Sequence, residues 1–280
     1  DFCFKEVSMN LTIGQYYPQH SPIHKIDARV KILITFLFII TLFFVNTFTG
    51  YAFVTVCLTA VIRASKVPLK FMLKGIKGIF IIIVFTAFIN VFMTKGEHTL
   101  FQWGVFTVTL EGILLAIKMC VRLILLIIGS SLLTLTTTPI QLTDGMEYLL
   151  RPFKKIGVPA HEIAMMMTIA LRFIPTLLDE TDKIMKAQQA RGADFDTGNL
   201  IQRAKSLIPI LVPLFISAFR RADELAMAME ARCYHGDENR TRMNVMVLKT
   251  SDYRTIILLV IYCATIFLLR FVAAQFSFIW

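Results

Sequence analysis

Two arginines carry the most specific chemistry in this chain. Arg191 ends the run Lys186-Ala187-Gln188-Gln189-Ala190-Arg191-Gly192, and Arg232 ends the run Met227-Ala228-Met229-Glu230-Ala231-Arg232-Cys233. When the runs are superposed, Asp182 falls on Asp223, Thr181 on Ala222, Ala187 on Ala228, and the two Ala-Arg pairs coincide. A guanidinium is always charged, is planar and can bond a carboxylate at two points, so it suits docking into an acidic cleft. It cannot be buried without an acid or carbonyl partner. Two such groups in matched settings imply two similar sockets, as a dimer of related proteins would offer. The plainer reading is that each arginine complements the negative end of its own helix. One Ala-Arg pair would not outweigh that reading. Repetition on the same stripe does.

The arginines need rods to hold them. In the first copy, Ala170, Ile174, Leu177, Thr181, Ile184, Gln188 and Arg191 fall on one helical stripe; in the second, Leu211, Phe215, Ala218, Ala222, Leu225, Met229 and Arg232 do. Steps of three and four mark one face of a helix. The first helix opens at Ala160-His161-Glu162, stays apolar through Ile174 and is expected to bend at Pro175. It then turns charged, with Asp179–Lys183 and Asp182–Lys186 at helix-supporting spacing, and Gly192 stops it. Asp194–Asn199 reads as a polar hinge. A second helical segment starts at Leu200, with Pro209 and Pro213 expected to divide it, and Leu214–Arg232 runs amphipathic with Arg220–Glu224 on its wet side.

The rest of the chain reads as membrane. Of 280 residues, 56% are hydrophobic, and the mean hydropathy is +0.67. Both are too high for an ordinary soluble domain. Apolar runs place spans at Lys31–Phe48, Tyr51–Ile62, Ile79–Met93, Leu110–Leu135 and Tyr253–Phe271. The second is brief and should extend into its flanking turn and into Arg63-Ala64-Ser65. Ile163–Ile174 resembles a sixth span, but it is short and carries Arg172. The net charge of +10 is what basic loops on one side of a membrane produce. No groove-reading or stacking motif accompanies it, so no nucleic-acid partner is expected. Basic residues crowd the N-terminal approach and the Arg63–Lys77 connection, while the turn near Thr47 has none. This asymmetry puts the N-terminus, and after four spans the paired helices, in the cytoplasm.

Smaller features have bland readings beside sharper ones. Arg63–Lys77, with Pro68 at a helix start, reads as an interfacial amphipathic helix that anchors topology. Contact with anionic lipid is the sharper version. The loop after Lys95 carries Trp103 and Phe106, aromatics suited to headgroup depth. Lys118 and Arg122 lie one turn apart within a span and should pair or snorkel. A short amphipathic helix, Gln141–Leu150, is stopped by Pro152. Gly236–Arg240 reads as a turn and Arg242–Asp252 as a polar connection. The five cysteines are odd in number and scattered, which suits buried apolar groups better than a disulfide frame or metal site. No cleavable signal peptide is visible, and Met9 is a candidate start. The five histidines are dispersed. There is no Gly-x-x-x-x-Gly-Lys-Ser/Thr loop and no His-Glu-x-x-His helix. Gly129-Ser130-Ser131 lacks an intramembrane histidine base and reads as helix packing. No catalytic residue, cofactor or metal is expected.

An ordered series of motifs resembles the transmembrane T component of energy-coupling factor transporters, related to the cobalt-transport T proteins. The series is Thr138-Pro139, Glu147-Tyr148-Leu149-Leu150-Arg151-Pro152, Val158-Pro159, Leu171-Arg172-Phe173-Ile174-Pro175, Ala187-Gln188-Gln189-Ala190-Arg191-Gly192 and Ala231-Arg232. The resemblance covers the chain from Gln15 onward. It implies that the two Ala-Arg-x ends cap coupling helices seated in grooves on two ABC-type ATPase subunits. Ala190, Arg191 and Gly192 would dock one ATPase; Ala231, Arg232 and Cys233 would dock the other. Cys233 departs from the glycine of the first copy and leaves the second helix end less defined. The apolar faces, including Ile174, Leu177, Phe215 and Phe219, would receive a substrate-binding S component. That component binds a vitamin or metal ion and chooses the substrate.

The expected architecture is therefore an all-α, polytopic membrane protein in the cell membrane. It divides into an N-terminal segment (1–30), four transmembrane helices (31–137), a cytoplasmic coupling domain of long amphipathic helices (138–252) and a last span (253–280). Its expected role is the non-catalytic scaffold of an ATP-driven importer. The alternatives are a self-sufficient permease, which needs an intramembrane polar site between broken helices, and an integral membrane enzyme.

Overall fold

Several apolar runs in the sequence are preceded by residues that can cap a helix, and helices begin there. The computed structural model describes residues 16–94, 98–103, 106–193, 195, 200–236 and 247–275. Its helices are α1 (Ala28–Phe44), α2 (Phe48–Ser65), α3 (Leu69–Met93), α4 (Leu110–Thr136), α5 (Pro139–Leu150), α6 (Ala160–Ala190), α7 (Leu200–Ser206), α8 (Ile208–Ala231) and α9 (Thr250–Gln275). Two short strands, β1 (Thr99–Trp103) and β2 (Phe106–Thr109), pair antiparallel before α4. The chain forms two compact units, residues 1–145 with 246–280, and residues 146–245.

In the first unit, side-chain caps start α1, α2 and α4, while α3 follows Pro68 without one. Asp27 accepts from the Arg29 amide at 3.0 Å to open α1. Thr47 caps α2 through the Gly50 amide, and Thr109 caps α4 through the Gly112 amide. Asp252 is buried and does two jobs: one oxygen accepts from the Asp27 amide at 2.9 Å and the other from the Lys249 amide at 2.7 Å. It thereby ties the start of α9 to the start of α1. Lys31 donates to the Thr136 carbonyl at 2.9 Å, which joins the start of α1 to the end of α4. These bonds answer the orphan amides and carbonyls of helix termini.

Between the caps, Leu42, Val54, Leu58, Met72, Leu125 and Ile266 form a buried apolar cluster drawn from α1, α2, α3, α4 and α9. Gly129 permits α1 to approach α4, because a Cβ there would run into the Phe38 ring. The Ser130 hydroxyl bonds back to the Leu126 carbonyl of its own helix. Small residues in this span therefore serve packing. The opposite surfaces stay apolar and bare: Ile81 is 79% exposed, with Phe85 and Phe88 beside it on α3. Bare apolar surface of this extent is what a bilayer covers.

Five described helices are long and apolar enough to cross a membrane: α2, α3 from Gly75, α4, α6 and α9 up to Val272. The chain is an all-α, multi-pass membrane protein. α1 has 17 residues, at the lower limit of a spanning helix, and packs in one core with α2, α4 and α9. α6 qualifies through its apolar first half, the stretch set aside above for its shortness and Arg172.

Several boundaries differ from the sequence reading. The basic Arg63–Lys77 connection is not a separate interfacial helix: Lys66 closes α2 in the left-handed conformation, and α3 then runs unbroken from Leu69 into the span. Nothing between Lys77 and Ile79 breaks a helix, since Gly78 only weakens one. α2 takes in both flanks of the brief second span, as expected. The aromatic loop is a hairpin in which Trp103 pairs with Phe106. Pro152 falls in a 3-10 turn, Arg151–Ile156, that follows α5. Most of the hinge at Asp194–Asn199, Lys95–Glu97, Asp237–Met246 and residues 1–8 lie outside the described residues.

Candidate partner-docking site

The second unit presents the paired helices. α6 has 31 residues and continues through Pro175; α8 has 24 residues, begins at Ile208 with Pro209 in its first turn, and continues through Pro213. Neither interior proline breaks its helix. The division expected at Pro209 falls between α7 and α8, since proline's fixed φ suits a first turn.

Both helices finish with the same hydrogen-bond closure. At the first end the Gly192 amide donates to the Gln189 carbonyl at 2.9 Å, and the Ala193 amide to the Gln188 carbonyl at 3.0 Å. At the second the Cys233 amide donates to the Glu230 carbonyl at 2.9 Å, and the Tyr234 amide to the Met229 carbonyl at 3.1 Å. This is the Schellman closure, which requires a left-handed residue just past the helix. Gly192 supplies it with φ +88° and Cys233 with φ +56°. The expectation that Cys233 leaves its end less defined is therefore corrected: cysteine takes the glycine conformation and the second end closes like the first. Arg191 and Arg232 are the cap residues. They and Ala190, Gly192, Ala231 and Cys233 are all exposed. Among the described residues, neither guanidinium bonds a carboxylate.

The helices are joined away from their tips. An Arg221 guanidinium nitrogen lies 2.7 Å from Oε2 of Glu180, and the Ser217 hydroxyl donates to Oε1. The two helix-crossing partners, Glu180 and Arg221, are 41 residues apart, the same offset that separates Arg191 from Arg232 (232 − 191 = 41). Sequence reasoning missed this cluster. The signal was present, because the alignment of Thr181 with Ala222 extends by one residue to set Glu180 on Arg221.

The residues expected to face an S component separate into two groups. Phe215 is 60% and Phe219 69% exposed, with Leu211, Val212 and Ile216 also exposed on α8. Ile174 is exposed and Leu177 half-buried. Nearer the tips, Thr181, Ile184, Gln188, Leu225 and Met229 are half-buried.

The intramembrane cations are structural. Arg122 donates to the Val45 carbonyl at 2.9 Å, the Asn46 side-chain oxygen at 3.2 Å and the Tyr51 hydroxyl at 3.0 Å. Lys118 lies over the Phe48 ring at 5.4 Å. These contacts place both at the turn between α1 and α2. His161 bonds Glu147 at 3.2 Å, joining the first turn of α6 to α5. No group of three or more metal-ligating side chains is found among the described residues.

Residues 19–243 match the cobalt transport protein family, CbiQ. The chain is 60% identical over 259 residues to the energy-coupling factor transporter transmembrane protein EcfT of Clostridium kluyveri, covering 92% of this chain and 96% of that one. It is 57% identical over 263 residues to the protein of that name from Ruminiclostridium cellulolyticum, covering 94% and 98%. Against the Bacillus subtilis protein of that name it is 46% identical over 261 residues, covering 93% and 98%. With near-complete coverage in both directions, and apolar helices to match, this chain belongs to the cobalt transport protein family as a transmembrane component of the energy-coupling factor type.

Proposed function

We propose that this chain is the non-catalytic coupling subunit of an ATP-driven importer. α6 and α8 carry motion from two ABC-type ATPases to a substrate-binding S component in the membrane. The observation that carries the reading is the pair of matched closures, each presenting an exposed arginine from the same backbone geometry. A guanidinium that bonds no acid among the described residues is suited to meet one on a partner. Two equal presentations fit two homologous sockets. Ala190 and Ala231 keep each tip narrow, and Gly192 and Cys233 turn the chain away behind it.

The bare apolar surface of Phe215 and Phe219, with Ile174 and Leu177, fits an S component with an apolar membrane-embedded wall. A vitamin or trace metal ion, chosen by that component, is the expected cargo. The basic approach segment and basic connection favour a cytoplasmic N-terminus, which puts the arginine tips on the ATP side. A self-sufficient permease has less support, because Arg122 and Lys118 are engaged by the α1–α2 turn and line no broken helix.

Co-purification tests the proposal. Arg191→Glu and Arg232→Glu are each expected to weaken retention of the ATPases or to uncouple uptake, and the double reversal to abolish both. Full ATPase retention and full uptake by the double reversal would overturn it.

A further inference from the structure

We infer that Glu180, Ser217 and Arg221 form a register clip that sets the working lengths of α6 and α8; the inference rests on the coupling role proposed above. The repeat offset carries the argument. Glu180 and Arg221 are equivalent positions of the two copies and bond one another. Each therefore stands eleven residues before its arginine tip (191 − 180 = 11; 232 − 221 = 11). At ~1.5 Å per residue, both arms extend about 16 Å beyond the clip. The helices are joined at the one register that makes the arms equal.

The bonding geometry fixes register as well as proximity. Both carboxylate oxygens of Glu180 are held, one by Ser217 and one by Arg221. These two partners lie four residues apart on α8, hence on one face. A slide of α8 by one turn would move both donors about 5.4 Å along the axis and release both oxygens. It would also make one arm longer than the other by that distance. The two tips would then sit unevenly in two rigidly spaced, similar sockets, and the motion of the sockets would pass unequally into the two arms. A single exposed ion pair does little for stability, and both partners here are part exposed. The function of the clip is accordingly alignment, and these three are positioning residues.

The test uses the full complex, with both ATPases and an S component, in proteoliposomes. The readouts are ATPase retention, ATP hydrolysis and substrate uptake per ATP hydrolysed. Glu180→Arg and Arg221→Glu are each expected to keep both ATPases bound while uptake per ATP falls about tenfold. The exchange Glu180→Arg with Arg221→Glu is expected to recover at least half of the lost coupling, which general destabilisation would not allow. Glu180→Gln, which keeps the shape and one hydrogen bond, covers the case in which the charge reversals fail to assemble; it is expected to lower coupling two- to threefold with hydrolysis unchanged. Unchanged uptake per ATP in Glu180→Gln, or no recovery in an assembled exchange variant, overturns the inference. Failure of the docking proposal reads differently: it leaves ATPases bound when the tips, not the clip, are reversed.

Discussion

Gly192 and Cys233 hold the same left-handed backbone conformation at the ends of two helices, although only one of them lacks a Cβ. The bonds that require it are matched: each residue donates to the carbonyl three positions back, and the next residue reaches the carbonyl five positions back. A residue with a Cβ in this region costs about 1–2 kcal/mol over its ordinary conformation. Glycine's greater freedom in the unfolded chain offsets part of that. Cys233→Gly is therefore expected to tighten the last turn of α8 by up to about 1 kcal/mol. Hydrogen exchange at the Cys233 and Tyr234 amides measures it, with slower exchange expected. Gly192→Val should loosen the α6 end by more, since a β-branched residue resists positive φ most. Faster exchange in Cys233→Gly would contradict the matched closure.

The helices of this fold were legible because apolar spacing and capping residues agree along most of the chain. Asp27, Thr47 and Thr109 stand where the sequence changes character, and each caps a helix. The hairpin was not, since Trp103 and Phe106 suit a membrane interface as well as a strand, and periodicity over so few residues cannot separate them. The two arginine tips were legible as a repeat. The Glu180–Arg221 bond was not, because local spacing pairs each charge with its neighbours on its own helix, as in Arg220–Glu224. Only tertiary packing brings Glu180 to the other copy. Cys233 was misjudged because propensity disfavours cysteine at positive φ, and the hydrogen bonds of the closure outweigh that preference.

Arg122 is expected to matter for assembly of the membrane unit and Lys118 far less. The Arg122 guanidinium is the partner of the Val45 carbonyl, the Asn46 side chain and the Tyr51 hydroxyl at once. Arg122→Met leaves these groups without that donor at the end of α1, at a cost of about 2–3 kcal/mol. Lys118→Met removes one cation–ring contact worth about 0.5–1 kcal/mol. Arg122→Lys should recover little, because an ammonium on a single stem cannot span a carbonyl, an amide oxygen and a phenol together. Thermal unfolding of the purified protein in detergent ranks them: wild type, then Lys118→Met, with Arg122→Lys and Arg122→Met lowest. Equal melting of the Lys118 and Arg122 variants would show that the α1–α2 turn does not depend on this arginine.

His24 is expected to make the N-terminal approach sensitive to acid. Its Nε2 donates to the Tyr17 carbonyl at 3.1 Å, so Nδ1 accepts from the Ser21 hydroxyl at 2.6 Å and the ring is matched as the neutral tautomer. Burial lowers its pKa from the ordinary 6.5, the Tyr17 carbonyl opposes that shift, and Lys31 and His20 reinforce it. With the folded value below the unfolded one, the unfolded chain binds more protons in between. Stability therefore rises with pH across that interval. The penalty is absent well above pH 6.5, grows as the pH falls toward the folded value, and is complete below it. The approach segment is held to α4 by the Tyr17 amide, which donates to the Leu135 carbonyl at 3.0 Å, so loosening at His24 should reach that contact. His24→Gln, which keeps a side-chain donor and loses the titration, is expected to show a smaller drop in melting temperature between pH 7.5 and pH 5 than the wild type. An equal drop in both proteins would place the acid-sensitive group elsewhere.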